Sequence, residues 1–170
     1  MTPLPLPEDL NAQFQSLAQD GFEALQKRNF RRAVSRFKNL YELLKREQPT
    51  DGRYHKGLPL HNWGIALLSS RQPKGALEPI LLAYVEDALT QEQGEEDLAD
   101  QTPAGQVVIQ AYQVRPEIVS SIKQKVRDAK KAESLISDPA PLLAEVLEAL
   151  REREERLIVE APILKLFIWY

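Results

Sequence analysis

The chain has 170 residues and a mass of 19.4 kDa, enough for one domain with a core and short for two. Apolar residues make up 43% and charged residues 28%, which excludes a disordered, collagen-like or low-complexity chain. A net charge of −3 disfavours a nucleic-acid partner, and the absence of cysteine excludes disulfides, thiolate metal sites and cysteine nucleophiles. His55 and His61 are the only histidines, so no metal site is expected. No apolar run approaches the ~18 residues that span a bilayer, so no membrane partner is expected. Residues 1–10 lack the basic segment and apolar run of a secretory signal, and a cytoplasmic location is the expectation.

Residues 1–8 contain Pro3, Pro5 and Pro7 and no periodicity, and read as an extended leader. Asp9 or Asn11 can cap a first helix through a side-chain oxygen. Phe14, Leu17, Gly21, Ala24 and Leu25 then fall on one helical face. Lys27-Arg28-Asn29 is a tight turn, after which Phe30, Ala33, Val34, Phe37, Leu40, Tyr41 and Leu44 mark a second helix. Gln48-Pro49-Thr50-Asp51-Gly52 is strong turn chemistry. Leu58, Leu60, Trp63, Gly64, Leu67 and Leu68 predict a third helix, broken at residues 69–73. Ala76, Leu77, Ile80, Leu81, Ala83, Tyr84 and Leu89 predict a fourth.

Residues 91–101, QEQGEEDLADQ, are acidic with one large apolar residue and read as a solvated linker. Further helices are predicted at 105–113, 116–134 and 139–156, with Pro116 and Pro139 in first turns and Asp138 as a cap. The basic stretch KQKVRDAKK at 123–131 has no interleaved aromatic, so no nucleic acid is expected there. The alternating charges of ALREREERL at 149–157 suit a solvated helix face. Residues 157–162 form a connector, and the run at 163–170, ILKLFIWY, is apolar and β-prone.

Two passages align without gaps. Leu17, Gly21, Phe30, Ala33, Phe37 and Leu40 share their spacing with Leu60, Gly64, Pro73, Ala76, Ile80 and Ala83. Small residues at these places let the two helices of a hairpin approach closely, and the large ones fill the space between hairpins. The pattern resembles the tetratricopeptide repeat, a helix-turn-helix unit of about 34 residues. The resemblance covers residues 14–90, with extra residues at 48–56 and Pro73 where the family places an aromatic. Two repeats are fewer than the three or so that bury a continuous core, so the helices after Pro103 are expected to complete the stack, or self-association to cover it.

The resemblance implies binding rather than chemistry, on a concave surface lined by the first helix of each hairpin. By the family's spacing, the peptide- or partner-binding positions are Gln15, Gln19, Phe22 and Gln26 in the first copy. In the second they are His61, Asn62, Ile65 and Ser69. Asn62 stands just before Trp63-Gly64, where peptide-binding members often place an asparagine that holds the ligand backbone. The basic residues that would clamp a C-terminal carboxylate are not evident, so a chaperone-tail receptor is not implied. The expected partner is a protein or peptide, or a second copy in a homo-oligomer.

No HExxH, GxSxG, phosphate-loop or GxGxxG motif occurs, and Glu95-Glu96-Asp97 stand on a predicted loop without rigid support. Neither catalysis by these residues nor a cofactor is expected. The tail resembles the first strand of a TIR domain: Phe167, Ile168 and Tyr170 match, while Trp169 replaces the usual serine. Bacterial TIR proteins commonly hydrolyse NAD through a glutamate far downstream of that strand, often in antiviral defence. The resemblance implies that residues 3–156 are the regulatory or sensing part of such an effector, with the catalytic glutamate outside this chain. The alternative is a stand-alone adaptor that binds a peptide of a partner protein. The expected fold is all-α, a tetratricopeptide-like array of about seven helices over residues 9–156, with a β-prone tail after the connector.

Overall fold

A computed structural model describes residues 8–47, 55–70, 75–112 and 116–132. They form six α-helices and one short 3₁₀ helix, with no strand among them. The α-helices are α1 (Glu8–Gln26), α2 (Phe30–Glu47), α3 (Gly57–Ser69), α4 (Leu77–Thr90), α5 (Pro103–Ala111) and α6 (Pro116–Lys131). The 3₁₀ helix, Glu96–Gln101, lies between α4 and α5. The leader at 1–7, the helix predicted at 139–156 and the β-prone run at 163–170 fall outside the described residues.

The α1–α2 elbow follows from local chemistry. The Asn29 amide donates to the Ala24 carbonyl at 2.8 Å and the Arg28 amide to the Leu25 carbonyl at 3.1 Å, a Schellman closure of α1. That closure places Arg28 in the left-handed region, with φ at 58°. Asn29 then starts α2, its Oδ1 accepting from the Arg32 amide at 3.2 Å. At α5, Thr102 does the same for the Gly105 amide at 3.1 Å, and Pro103 takes the first turn. This cap starts α5 two residues earlier than the apolar pattern suggests.

The helices pack in chain order, α1 on α2, α2 on α3 and α3 on α4; the 3₁₀ helix, α5 and α6 then pack on α4. Nine of the 13 residues of α3 are buried, because a helix apolar around its whole circumference must be covered on more than one side. In α4 every residue from Ile80 to Ala88 is buried. By contrast α2 and α6 each bury one stripe. One core cluster, with Phe37, Leu40 and Leu44, lies between α1 and α2 and takes in Ala66 of α3. A second gathers Leu60, Ile80 and Tyr84 with Val107, Val108, Ile122 and Val126. Trp63 packs against both, so the hairpins share one continuous interior. Each buried Leu, Ile or Phe contributes about 1.5–3 kcal/mol relative to exposure.

The acidic segment departs from a plain solvated linker. Residues 96–101 form the 3₁₀ helix, and Glu96 and Ala99 are fully buried. Ala99 meets α5 at Gly105, where a β-carbon would overlap the Ala99 carbonyl. The segment is a packed corner on which Glu92, Glu95 and Asp97 are exposed.

Candidate interaction surface

The four groove positions predicted on α1 lie on a largely open stripe. Gln15, Gln19 and Gln26 are exposed, and the Gln19 amide donates to Glu23 at 3.2 Å. Phe22 is half-buried, its ring edge-on to Phe37 with centroids 5.4 Å apart. The four positions on α3 fare differently. His61, Asn62 and Ile65 are buried and only Ser69 is partly open, its neighbour Ser70 closing the helix end on the Leu67 carbonyl. The two sets therefore do not form one open groove in this state. Packing against both α2 and α4 takes up the α3 surface that the family's spacing would leave to a ligand.

A polar network runs through the second half of the array. Residues His55 and Lys56, just before α3, meet two consecutive buried acids of α4. His55 Nε2 bonds the Asp87 carboxylate, and Lys56 Nζ stands 3.2 Å from Glu86. The other Asp87 oxygen accepts from the Thr102 hydroxyl at 2.6 Å, which ties the pair to the α5 cap. Burial is the largest influence on both acids and pushes both carboxyls above the usual range, against the opposing pull of His55 on Asp87 and Lys56 on Glu86. Gly57 makes room for this meeting, since a β-carbon there would overlap Asp87 and His55.

The order of contacts sets what this cluster can do. The carboxylate lies between imidazole and hydroxyl, so the imidazole does not face Thr102 as a base faces a nucleophile. The geometry is that of a clasp joining three helices. Sequence reasoning missed Lys56, Glu86 and Asp87; the available signal was an acidic pair inside the apolar run of α4.

The corner after α4 is held to α6 by a second set of charges. Lys130 Nζ reaches Glu96 at 3.3 Å and the Gln91 carbonyl at 2.7 Å. Lys123 spans Asp97 at 2.7 Å and Asp100 at 3.0 Å, and Asp100 accepts from the Tyr84 hydroxyl at 2.5 Å. Burial opposes ionisation of Glu96, but its own amide, the Gly94 amide and Lys130 outweigh it and hold the carboxyl below the usual range. Burial and then the Asp100 carboxylate hold the Tyr84 phenol well above its ordinary value.

Among the described residues, no group of three or more metal-ligating side chains is placed to hold an ion, and no helix is long and apolar enough to cross a membrane. Comparison with protein-family models, curated protein sequences and solved structures finds no match. Fold and site together define an all-α array of helical hairpins with one open polar stripe and a buried ionic clasp.

Proposed function

We propose that the chain is a cytoplasmic protein-interaction and assembly module of tetratricopeptide type, without catalysis of its own. The observation that carries this reading is the repeated glycine seat. Gly21 lies against Phe37 and Gly64 against Ile80, each pair with the same sequence separation. Hairpins seated in this way stack side by side and present their first helices to partners. Gln15, Gln19 and Gln26 offer amide donors and acceptors to an extended peptide backbone, and Phe22 offers an apolar edge beside them. Selection of a displayed peptide library on the purified chain tests this. Selected peptides should lose at least tenfold in affinity to a Gln19→Ala/Phe22→Ala variant; equal binding to wild type and variant would overturn the α1 stripe as the site.

The same module is proposed as the regulatory part of a TIR-type, NAD-hydrolysing effector of antiviral defence. Phe167, Ile168 and Tyr170 support this extension. NAD loss catalysed by the natural protein that carries these residues, with and without residues 1–156, is the test, and activity indifferent to their removal would sink it. A stand-alone adaptor would bind selected peptides through the α1 stripe and show no NAD loss.

A further inference from the structure

We propose that the chain associates with a second copy of itself, the basic α1–α2 elbow of one molecule docking on the acidic corner after α4 of the next. This deepens the assembly reading and rests on it, by naming a partner and a surface apart from the α1 stripe.

The elbow carries Lys27, Arg28, Arg31 and Arg32, all exposed, in a chain whose net charge is −3. Asp20 occupies Arg32 at 2.6 Å and Arg36 at 2.5 Å. Among the described residues, no carboxylate lies in ion-pair range of Lys27, Arg28 or Arg31. Local physics favours other residues at these places. Arg28 sits at φ 58°, where glycine is preferred. Arg31 and Arg32 stand in the first turn of α2, which holds no acid and where the helix dipole disfavours cations. The Arg28 guanidinium lies 5.7 Å from the centroid of the half-buried Phe30 ring, which fixes the charge at the surface beside an apolar edge.

The corner has the complementary character. Glu92, Glu95 and Asp97 are exposed around Leu98, one of two large apolar residues exposed among those described. Three cations of α6 face this corner, but Lys123, Arg127 and Lys130 are spent on Glu96, Asp97 and Asp100. Glu92 and Glu95 have no cation in ion-pair range among the described residues. Elbow and corner belong to opposite ends of the packing order, with α3 between α2 and α4. One molecule does not bring its own elbow to its own corner by helix packing, whereas two molecules can join base to acid and Phe30 to Leu98. Such a contact uses two different patches and repeats from molecule to molecule.

Light scattering on the 170-residue chain across concentration and salt tests the proposal. The expected result is a mass above the 19.4 kDa monomer that rises with concentration and falls as salt screens the contact. Arg28→Glu/Arg31→Glu and Glu92→Lys/Glu95→Lys should each be monomeric, with unchanged circular dichroism because all four side chains are exposed. Mixing the two variants should restore association, because every elbow of one variant then meets a corner of opposite charge on the other. A wild-type chain that is monomeric throughout, variants that keep the wild-type mass, or a mixture that stays monomeric would each overturn the proposal. An elbow variant that loses an oligo-glutamate peptide while the wild type remains monomeric would also overturn it, in favour of an acidic partner. Peptide selection on the α1 stripe is read separately, so loss of either result leaves the other intact.

Discussion

Gly64 of α3 and Ile80 of α4 are in such close contact that a β-carbon on the glycine would overlap Ile80 Cγ1 and stand 2.9 Å from the Ala76 carbonyl oxygen. The equivalent glycine of the first hairpin, Gly21, would place its β-carbon 2.8 Å from Phe37 Cζ. The hairpins are therefore closed by the same device, a missing side chain under a large one sixteen positions later.

Adding one methyl group at these seats should separate the helices. Gly64→Ala is expected to destabilise the chain by about 2–3 kcal/mol, since a backbone carbonyl resists displacement. Gly21→Ala should cost about 1–2 kcal/mol, because the obstacle is a single ring and alanine regains helix propensity. Urea unfolding midpoints measure both, and a neutral Gly64→Ala would contradict the close approach.

The elbow invites the opposite change. Arg28 holds a left-handed conformation that glycine adopts without the Cβ penalty. Arg28→Gly should stabilise the chain by about 0.5–1 kcal/mol, less whatever its stacking on Phe30 contributes. Asn29→Ala should cost about 1 kcal/mol by removing the cap of α2. Thermal melts of the two variants should move in opposite directions.

The clasp should break asymmetrically. Asp87→Ala leaves His55 and Thr102 without their carboxylate and is expected to cost about 3 kcal/mol. Asp87→Asn keeps an acceptor in the same shape and should cost distinctly less, while hydrogen exchange at the Gly105 amide reports whether the α5 cap survives.

Acid should act on two sets of carboxylates with opposite sign. Glu96 titrates below its ordinary 4.5 because its own amide, the Gly94 amide and Lys130 outweigh the opposing effect of burial. Its stabilisation is complete above that ordinary value and is lost as pH falls through the folded one. Asp97, bonded to Lys123, follows the same course. Burial lifts Glu86 above 4.5, so its contribution is complete in acid and is lost as pH rises through the folded value. From about pH 3 to about pH 7, Glu86→Gln should therefore gain stability on the wild type while Glu96→Gln loses ground. Parallel pH profiles of urea midpoints for the two variants would refute this division.

Sequence by itself determined the six α-helices of the described residues and the spacing shared by the first two hairpins. The residues at Lys27-Arg28-Asn29, the start at Phe30, the end of α4 at Thr90 and the start at Pro116 are all readable from periodicity and turn chemistry, which act within a few residues. Gln15, Gln19 and Gln26 came instead from the tetratricopeptide resemblance, and all three are exposed on α1. Tertiary structure decided the rest. His61, Asn62 and Ile65 are buried because α3 packs against both α2 and α4. Glu86, Asp87 and Glu96 can be buried because Lys56, His55 and Lys130 meet them from 30 to 34 residues away. Periodicity says which face of a helix is apolar, but the burial of a charge depends on a counter-charge delivered by another element, and only the packed chain brings the two together.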